Sequence, residues 1–418
     1  MTTARQMNDH EAPPPEALRA AMVDRLREMG AVRSEQVAEA IGTVPRHLFA
    51  PNESLTDAYT ATSTLETKRD EHGVALSTVS AAHIQAMMLE QAQVEPGMRV
   101  LEIGSGGYNA ALLAELVGPS GEVTTVDIDP DVIDRARDCL RAAGYERVNA
   151  VLADAEEGVP EHAPYDRVIV TAGAWDIPPA WWDQLTGDGL MVVPLRMRGL
   201  TRNIVFARDG DRLVSREYEL STFVAMRGVG APDERLLQLD GDDVKLRLDG
   251  NHLADIEKLR AALAQPRVEA WSGVTAAGDG RFDGLNLWWA LHLPEFAVID
   301  AKKTAVERGV VAHAWPLGVP AVVGADSIAY LGLRGVTPDR STCEYGVYGH
   351  GPNANTLIDR AIQLIRSWDG SSLDARFTAY PAGTPDDQLP VGLVLDKRHT
   401  RVVLSWPDPE GRAESGQH

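Results

Sequence analysis

Apolar residues recur along the first half of the chain with two different spacings. Short apolar runs of the kind buried in parallel strands occur at residues 100–103, 123–126, 148–152, 165–172 and 190–194. Segments with helical periodicity lie beside them, at residues 80–93, 109–117, 130–143 and 179–185. Because strand and helix alternate regularly, the pattern predicts an α/β fold with a doubly wound, mostly parallel sheet and helices on both faces.

The segments before this sheet follow a different pattern. Residues 1–14 are polar and end in prolines, which predicts a disordered lead-in. Helical periodicity predicts two N-terminal helices at residues 16–29 and 34–41, and residues 44–51 form a proline-bounded loop. Residues 52–76 show only weak periodicity, so we expect an irregular cover there.

The second half of the chain does not continue the alternation. After a β-ribbon at residues 202–220, the pattern predicts a hairpin at 236–248, strands at 268–274 and near Ala321, Glu344 and Val402, and helices at 253–263, 285–293 and 354–368. A chain of 418 residues also exceeds what one hydrophobic core usually serves. We therefore predict an α/β domain at residues 15–230 and a C-terminal α+β domain at residues 231–418.

Residues 97–127 have the pattern of a nucleotide-binding β-α-β unit. Its first strand leads into a Gly-Ser-Gly-Gly turn that starts at Gly104, and its second strand ends at Asp127. A carboxylate at that strand end can accept hydrogen bonds from both ribose hydroxyls. The turn lacks the third glycine of the dinucleotide fingerprint, and the charge of Glu102 repels a pyrophosphate but favours a sulfonium group. The unit therefore favours S-adenosyl-L-methionine over NAD, the alternative being an ordinary strand and loop of an α/β domain.

Composition and charge restrict the partners. A formal net charge of -21 argues against a nucleic-acid partner, since such binding depends on Lys and Arg that neutralise phosphates. This charge favours solvation, with attraction of a basic peptide as the alternative. Cys139 and Cys343 are the only cysteines, so we expect neither a disulfide framework nor a metal site. The chain lacks an apolar run of roughly 20 residues and a signal-peptide pattern at its N-terminus, so we expect a cytoplasmic protein that does not span a membrane.

Five motifs, taken in order, resemble those of the protein-L-isoaspartate O-methyltransferases. They are residues 44–49 (Val-Pro-Arg-His-Leu-Phe), 78–83 (Thr-Val-Ser-Ala-Ala-His), 100–108 (Val-Leu-Glu-Ile-Gly-Ser-Gly-Gly-Tyr), 165–172 (Tyr-Asp-Arg-Val-Ile-Val-Thr-Ala) and 185–195 (Leu-Thr-Gly-Asp-Gly-Leu-Met-Val-Val-Pro-Leu). The resemblance covers roughly residues 16–225. It implies a Rossmann-like methyltransferase sheet and methylation of a side-chain or isopeptide carboxylate by S-adenosyl-L-methionine, with S-adenosyl-L-homocysteine as the product.

The resemblance also implies roles for individual residues. Ser80 is expected to donate a hydrogen bond to the substrate carboxylate, with capping of the following helix as the alternative. His83 lies one turn further along and either contacts the substrate or is structural. The expected cofactor contacts are Glu102, Gly104, Ser105 and Gly106 at the amino-acid end, Asp127 at the ribose, Asp154 and Ala155 at the adenine, and Thr171 at the carboxyl end of its strand.

The chain departs from this family in three ways. Its glycine turn is one residue shorter than the family's. The segment before Thr78 lacks the usual Leu-Pro-Ile-Gly-x-Gly-Gln, and Ala82 replaces the usual proline. An additional domain follows residue 230. With these features it is similar to homologues with a C-terminal extension that are associated with ribosomal peptide biosynthesis, in lanthipeptide and graspetide pathways of actinobacteria. That resemblance implies methylation of an Asp side chain in a constrained precursor peptide. The ester then closes to a succinimide (aspartimide), which persists or hydrolyses to isoaspartate.

This peptide substrate is the leading hypothesis from the sequence, and two others stay open. The first is a repair enzyme that uses the same chemistry on isoaspartate in damaged proteins. The second is a catalytically silent scaffold that binds S-adenosyl-L-methionine, against which the presence of Ser80, Glu102 and Asp127 argues. The oligomeric state is left open.

Overall fold

Two large β-sheets and the helices packed on them account for most of the chain. The computed structural model describes residues 13–71, 73, 75–228, 235–248, 254–278, 283–368 and 375–406. The predicted lead-in at residues 1–14 therefore lies almost wholly outside the described residues. Within the described part of the chain, no helix is both long and apolar enough to cross a membrane.

The N-terminal segment packs helices against one face of the first sheet. It comprises α1 (Pro15–Glu28), α2 (Glu35–Thr43), α3 (Leu55–Ala58), the antiparallel hairpin β1 (Leu65–Arg69) and β2 (Ala75–Val79), and α4 (Ala82–Ala92). The expectation of an irregular segment at residues 52–76 was wrong, because α3 and most of the hairpin lie there. Only Leu65 of β1 is buried, so the strand lacks the apolar alternation that marks a half-buried strand.

The predicted alternation of strands and helices is confirmed in the next segment. It runs β3 (Arg99–Ile103), α5 (Tyr108–Val117), β4 (Glu122–Asp127), α6 (Pro130–Ala142), β5 (Asn149–Leu152), β6 (Tyr165–Val170), α7 (Pro179–Asp183) and β7 (Leu185–Met197). These five strands are parallel in the order β5-β4-β3-β6-β7. The ribbon of β8 (Leu200–Asp209) and β9 (Arg212–Leu220) then continues the sheet in antiparallel pairing.

A second sheet of seven strands follows. Its strands are β10 (Arg235–Asp240), β11 (Val244–Leu248), β12 (Val268–Ala277), β13 (Phe296–Ala301), β14 (Val319–Val323), β15 (Ile328–Gly335) and β16 (Thr342–His350), in the order β10-β11-β13-β14-β15-β16-β12. Its helices are α8 (Ile256–Leu263), α9 (Asp283–His292), α10 (Lys303–Glu307) and α11 (Ala354–Ser367). The predicted α+β character of this half is confirmed.

The end of the chain returns to the first sheet. The strands β17 (Arg376–Pro381), β18 (Leu393–Asp396) and β19 (Thr400–Ser405) extend it beyond β9, so that it has ten strands in the order β18-β19-β17-β9-β8-β7-β6-β3-β4-β5. The sheet is thus mixed rather than mostly parallel. The predicted boundary at residue 230 therefore assigns these three strands to the wrong sheet. Local sequence patterns do not reveal that β9 pairs with β17, without which β9 would be an unpaired edge strand.

The two sheets meet at the turn between β7 and β8. Arg247 donates to the carbonyl of Gly199 at 3.0 Å, and Arg198 donates to the carbonyl of Pro294 at 2.7 Å. The side chain of Leu200 is buried among the apolar residues of the second sheet. The first sheet therefore supplies a turn to the core of the second.

Candidate cofactor and substrate sites

A pocket opens at the carboxyl ends of the parallel strands β3, β4 and β6. Its wall includes six residues that the sequence predicts as cofactor contacts: Gly104, Ser105, Gly106, Asp127, Ala155 and Thr171. The hairpin residues 76–78 and the segment 224–227, which follows β9, complete the wall. Parallel strands bind ligands at this edge because the loops that follow their carboxyl ends diverge there.

Two glycines let the backbone approach closely at this pocket. Gly104 has a φ of +97°, and a Cβ there would lie 2.9 Å from the hydroxyl oxygen of Thr171. That hydroxyl donates to the carbonyl of Gly104 at 2.6 Å. A Cβ at Gly106 would approach the carbonyl oxygen of Thr78 to 3.3 Å. Side chains at these positions would therefore strain the turn and narrow the pocket.

Asp127 is held by the backbone at the end of β4. Its carboxylate accepts hydrogen bonds from the N–H of Ser105 at 3.1 Å and from the N–H of Asp129 at 3.0 Å. Burial raises the pKa of Asp127, while these hydrogen bonds act in the opposite direction. The hydroxyl of Ser105 is buried and has no hydrogen-bond partner among the described residues. A fixed carboxylate beside an unpartnered hydroxyl fits a cofactor that carries a ribose and further polar groups.

Glu102 does not line this pocket, contrary to the expectation from sequence. Its side chain is fully buried in β3 and accepts a hydrogen bond from the Thr125 hydroxyl at 2.6 Å. Burial raises the pKa of Glu102 to about 7, although hydrogen bonds from Thr125 and Asn109 act to lower it. The Glu102 carboxyl therefore lies beneath the glycine turn, where its hydrogen bond with Thr125 links β3 to β4.

Asp154 and Ala155 face different spaces. Ala155 lines the pocket described above, whereas Asp154 lines a smaller cavity beside it that shares the side chains of Met226 and Arg227 with that pocket. One oxygen of Asp154 accepts from the N–H of Glu156 at 3.0 Å, so Asp154 caps the short turn that carries Ala155. The structure thus places Asp154 next to the expected adenine position rather than in the main pocket.

The turn between β18 and β19 reaches this smaller cavity, which the sequence did not predict. The His399 ring contacts the Glu156 carboxylate at 2.6 Å, and its backbone N–H donates to Asp176 at 2.6 Å. The Thr400 hydroxyl also donates to Asp176, at 2.5 Å. The last strands of the chain therefore stabilise the loop that carries Ala155.

Ser80 and His83 line a second, larger cavity of about 710 Å³. We call this candidate substrate site the substrate cavity; it shares Thr78 and Val224 with the cofactor pocket. Since α4 begins at Ala82 and its capping position is Ala81, the alternative role of Ser80 as a helix cap was wrong. The ring nitrogen Nδ1 of His83 lies 3.1 Å from the carbonyl of Ala61. The structure brings both residues to one cavity wall beside the cofactor pocket.

Arg46 fixes the backbone of Ser80, a role that the sequence motif did not reveal. Its guanidinium is fully buried and donates to the carbonyls of Ser80 and Ala58, each at 2.8 Å, and to the Gln85 side chain at 2.7 Å. It also lies 4.8 Å from the centre of the Tyr108 ring. Burial lowers the pKa of Arg46. The segment before α4 is therefore tied to the rest of the domain by one buried cation.

A set of ion pairs holds the rim of the cofactor pocket, and we call it the Asp129 cluster. Asp129 stands at the capping position of α6 and binds Lys68 of β1 at 2.7 Å and Arg227 at 3.0 Å. Lys68 also binds Asp131 at 2.7 Å. The cluster thus joins α6 to the hairpin and to the segment after β9, both of which border the pocket. These residues carry no motif that would have marked them in the sequence.

An α/β sheet with a glycine turn, an acidic strand end and an adjoining substrate cavity defines the chain as an S-adenosyl-L-methionine-dependent methyltransferase. Residues 17–229 match the family model described as Protein-L-isoaspartate(D-aspartate) O-methyltransferase (PCMT), and the chain belongs to this family. The expected class of enzyme and the expected cofactor are thereby confirmed.

Curated relatives and a solved structure agree with this family. The chain is 45% identical over 179 residues to the protein-L-isoaspartate O-methyltransferase of Methanopyrus kandleri, covering 42% of this chain and 76% of that one. It is 43% identical over 221 residues to the enzyme of the same name from Hyperthermus butylicus, covering 50% and 88%. A solved protein-L-isoaspartate O-methyltransferase structure aligns with 93% of this chain and 100% of its own, with a TM-score of 0.51 and 21% identity. That likeness supports the fold, including much of the second half.

Proposed function

We propose that this protein methylates the free carboxylate of isoaspartyl residues in proteins, using S-adenosyl-L-methionine. The observation that carries the proposal is the contact between the two cavities, which share Thr78 and Val224. One cavity has the residues that fit the cofactor, and the other has Ser80. The relatives named for isoaspartate favour this substrate over the dedicated peptide that led the sequence interpretation.

The reaction asks the protein chiefly for alignment. When bound, S-adenosyl-L-methionine supplies a sulfonium methyl group to a carboxylate oxygen, and the bonding electron pair stays on sulfur. The turn from Gly104 to Gly106 and the carboxylate of Asp127 hold the cofactor in this proposal. Ser80 donates to one carboxylate oxygen and directs the other towards the shared wall. An ionised carboxylate is already a nucleophile, so no general base is needed and positioning carries the acceleration.

His83 has a narrower role in this scheme. A carbonyl oxygen only accepts hydrogen bonds, so the contact with Ala61 requires that Nδ1 of His83 carry a proton. In the neutral ring the other nitrogen, Nε2, is then an acceptor that repels a carboxylate. Ser80 is therefore the donor to the substrate carboxylate in this scheme.

Paired peptides test the proposal. Each pair contains isoaspartate or aspartate at one position, and methyl transfer is measured by mass spectrometry with S-adenosyl-L-methionine. We expect methylation of linear isoaspartyl peptides and a 10- to 100-fold lower kcat/KM for Ser80→Ala, the cost of one hydrogen bond to a charged group. Ser120→Ala is the matched control, because Ser120 is exposed in the turn between α5 and β4. Equal activity of Ser80→Ala and the control would contradict the role of Ser80.

The second candidate is methylation of an Asp side chain in a constrained ribosomally made peptide. One observation favours it: the residues before Thr78 depart from the family's usual sequence, and they form the hairpin of β1 and β2, whose Glu66 lines the substrate cavity. A substrate cavity with a different lining is compatible with a different substrate. Cyclised Asp peptides in the same assay separate the candidates. Efficient methylation of these with none on linear isoaspartyl peptides would replace the proposed function by this one.

A further inference from the structure

The second sheet reaches the substrate cavity through one turn. Pro316 and Leu317 lie between α10 and β14, and both line the cavity together with Ser80 and His83. Leu317 is 39% exposed, an unusual state for a large apolar side chain in a cavity wall. The second half of the chain thus contributes to the wall that faces the substrate.

The turn that carries Leu317 is rigid for local reasons. The N–H of Gly318 donates to the carbonyl of Trp315 at 3.0 Å, which closes a four-residue β-turn. Pro316 occupies the second position, where its fixed φ is favourable, and Gly318 the fourth. A side chain at Gly318 would collide with Val298 of β13. The Trp315 ring is stacked on His313, with ring centres 4.7 Å apart. The backbone position of Leu317 is therefore set by this turn.

The cavity wall carries both apolar and polar side chains. Ile84, Phe223, Pro316 and Leu317 make up its apolar part, whereas Ser80 and Thr78 are polar, and Thr78 also lines the cofactor pocket. A carboxylate placed at Ser80 leaves the neighbouring residue of the substrate polypeptide to occupy the apolar part. Glu66 lines the same cavity and forms an ion pair with Arg69 of the same strand.

We propose that the turn at residues 315–318 selects an apolar side chain next to the isoaspartyl residue of the substrate, with Leu317 as the contact; this rests on the proposed function. The apolar neighbour leaves water on contact with Leu317, Pro316 and Phe223. An acidic neighbour is disfavoured because its charge would lose water against these apolar side chains. The order of preference is therefore apolar, then neutral polar, then acidic.

The test uses linear isoaspartyl peptides of one length that differ only in the residue beside the isoaspartate. Leu, Ser or Glu is placed on either side, and kcat/KM is measured for the full-length protein. We expect kcat/KM for the Leu peptide to exceed that for the Ser peptide by about 10-fold when the varied residue is on at least one of the two sides of the isoaspartate, the usual size of such discrimination. Leu317→Asp should abolish the preference by lowering kcat/KM more for the Leu peptide than for the Ser peptide, and Leu317→Ala should reduce the preference.

Val336→Asp is the matched control. Val336 is 53% exposed, follows β15 in the second sheet and does not line the cavity. The Val336→Asp variant should keep the full preference for the Leu peptide. Thermal unfolding of each variant checks that the variant folds. A preference that survives in Leu317→Asp, or an equal loss for all peptides, overturns the inference while the proposed function stands. Failure of the wild type to methylate any isoaspartyl peptide overturns both.

Discussion

Removing the charge of Asp129 tests whether the Asp129 cluster holds the rim of the cofactor pocket. In Asp129→Asn the side chain keeps its shape, and its oxygen can still accept from the N–H of Asp131, which Asp129 accepts at 3.1 Å. The helix cap is thus retained. The ion pairs to Lys68 and Arg227 are lost. Any effect then reports on charge rather than on packing or capping.

The magnitude follows from the pKa of Asp129, whose side chain is only 6% exposed. Although partial burial acts to raise it, hydrogen bonds from Lys68 and Arg227 lower this pKa from the ordinary 3.8 to about 2. At about 1.4 kcal/mol per pKa unit, the ionised carboxylate contributes roughly 2 kcal/mol to the free energy of unfolding. Because the pKa of Asp129 is lower in the folded protein, its contribution to the free energy of unfolding is complete above pH 3.8 and is lost as the pH falls towards 2.

Urea unfolding between pH 2 and 7 measures this contribution. At pH 7 we expect Asp129→Asn to unfold about 2 kcal/mol more easily than the wild type, with the difference closing below pH 4. Calorimetric titration should show weaker binding of S-adenosyl-L-methionine. Asp131→Asn is the control: Asp131 binds the same Lys68, but its side chain is 79% exposed, so its loss should be below about 1 kcal/mol. Equal losses in the two variants, or a difference that persists at pH 2, would refute the reasoning.

Three further predictions concern the cofactor pocket. Burial raises the pKa of Glu102 from 4.5 to about 7, so stability should fall by about 3 kcal/mol as the pH rises across that range, and Glu102→Gln should flatten the fall in urea unfolding. Gly104→Ala and Gly144→Ala should each lower the free energy of unfolding by about 1 kcal/mol, because both glycines have positive φ. Only Gly104→Ala should raise KM for S-adenosyl-L-methionine, since a Cβ at Gly144 meets nothing within 4 Å. His399→Gln should raise that KM with little change in kcat, because the contact with Glu156 is lost; an unchanged KM would contradict the role of the β18–β19 turn.

Local signals explain which parts of the fold could be predicted from sequence. The elements β3 and α5 are mostly apolar, β4 is rich in β-branched residues, and glycines separate the three, so their predicted ends lie within a residue or two of the observed ones. The strand β1 escaped detection because its side chains are mostly partly exposed. The pairing of β17 with β9 joins segments more than 160 residues apart, as the bond from the N–H of Phe377 to Ser215 shows. Such pairing leaves no mark in a local window.

The same reasoning applies to the site. Gly104, Ser105, Gly106 and Asp127 are adjacent to one β-α-β unit, so a local motif was enough to place them at the pocket. Lys68, Arg227 and His399 belong to three distant segments that only the tertiary fold brings together, so no local pattern groups them. Glu102 was misplaced because periodicity does not show which face of a central strand a polar side chain occupies. Its burial depends on its neighbour β4.

The return of the chain from the second sheet to β17 makes that sheet an insertion within the methyltransferase rather than an appendage to it. The chain departs just after β9 and re-enters at β17, where Ala379 pairs with Leu213 and Thr378 with Val214. Truncation after residue 228 would therefore also remove three strands of the catalytic sheet. Excision of residues 229–374 with a short linker would spare them. The hydrogen bonds of Arg247 to Gly199 and of Arg198 to Pro294 join the inserted sheet, and with it the turn that carries Leu317, to the methyltransferase sheet at a further point.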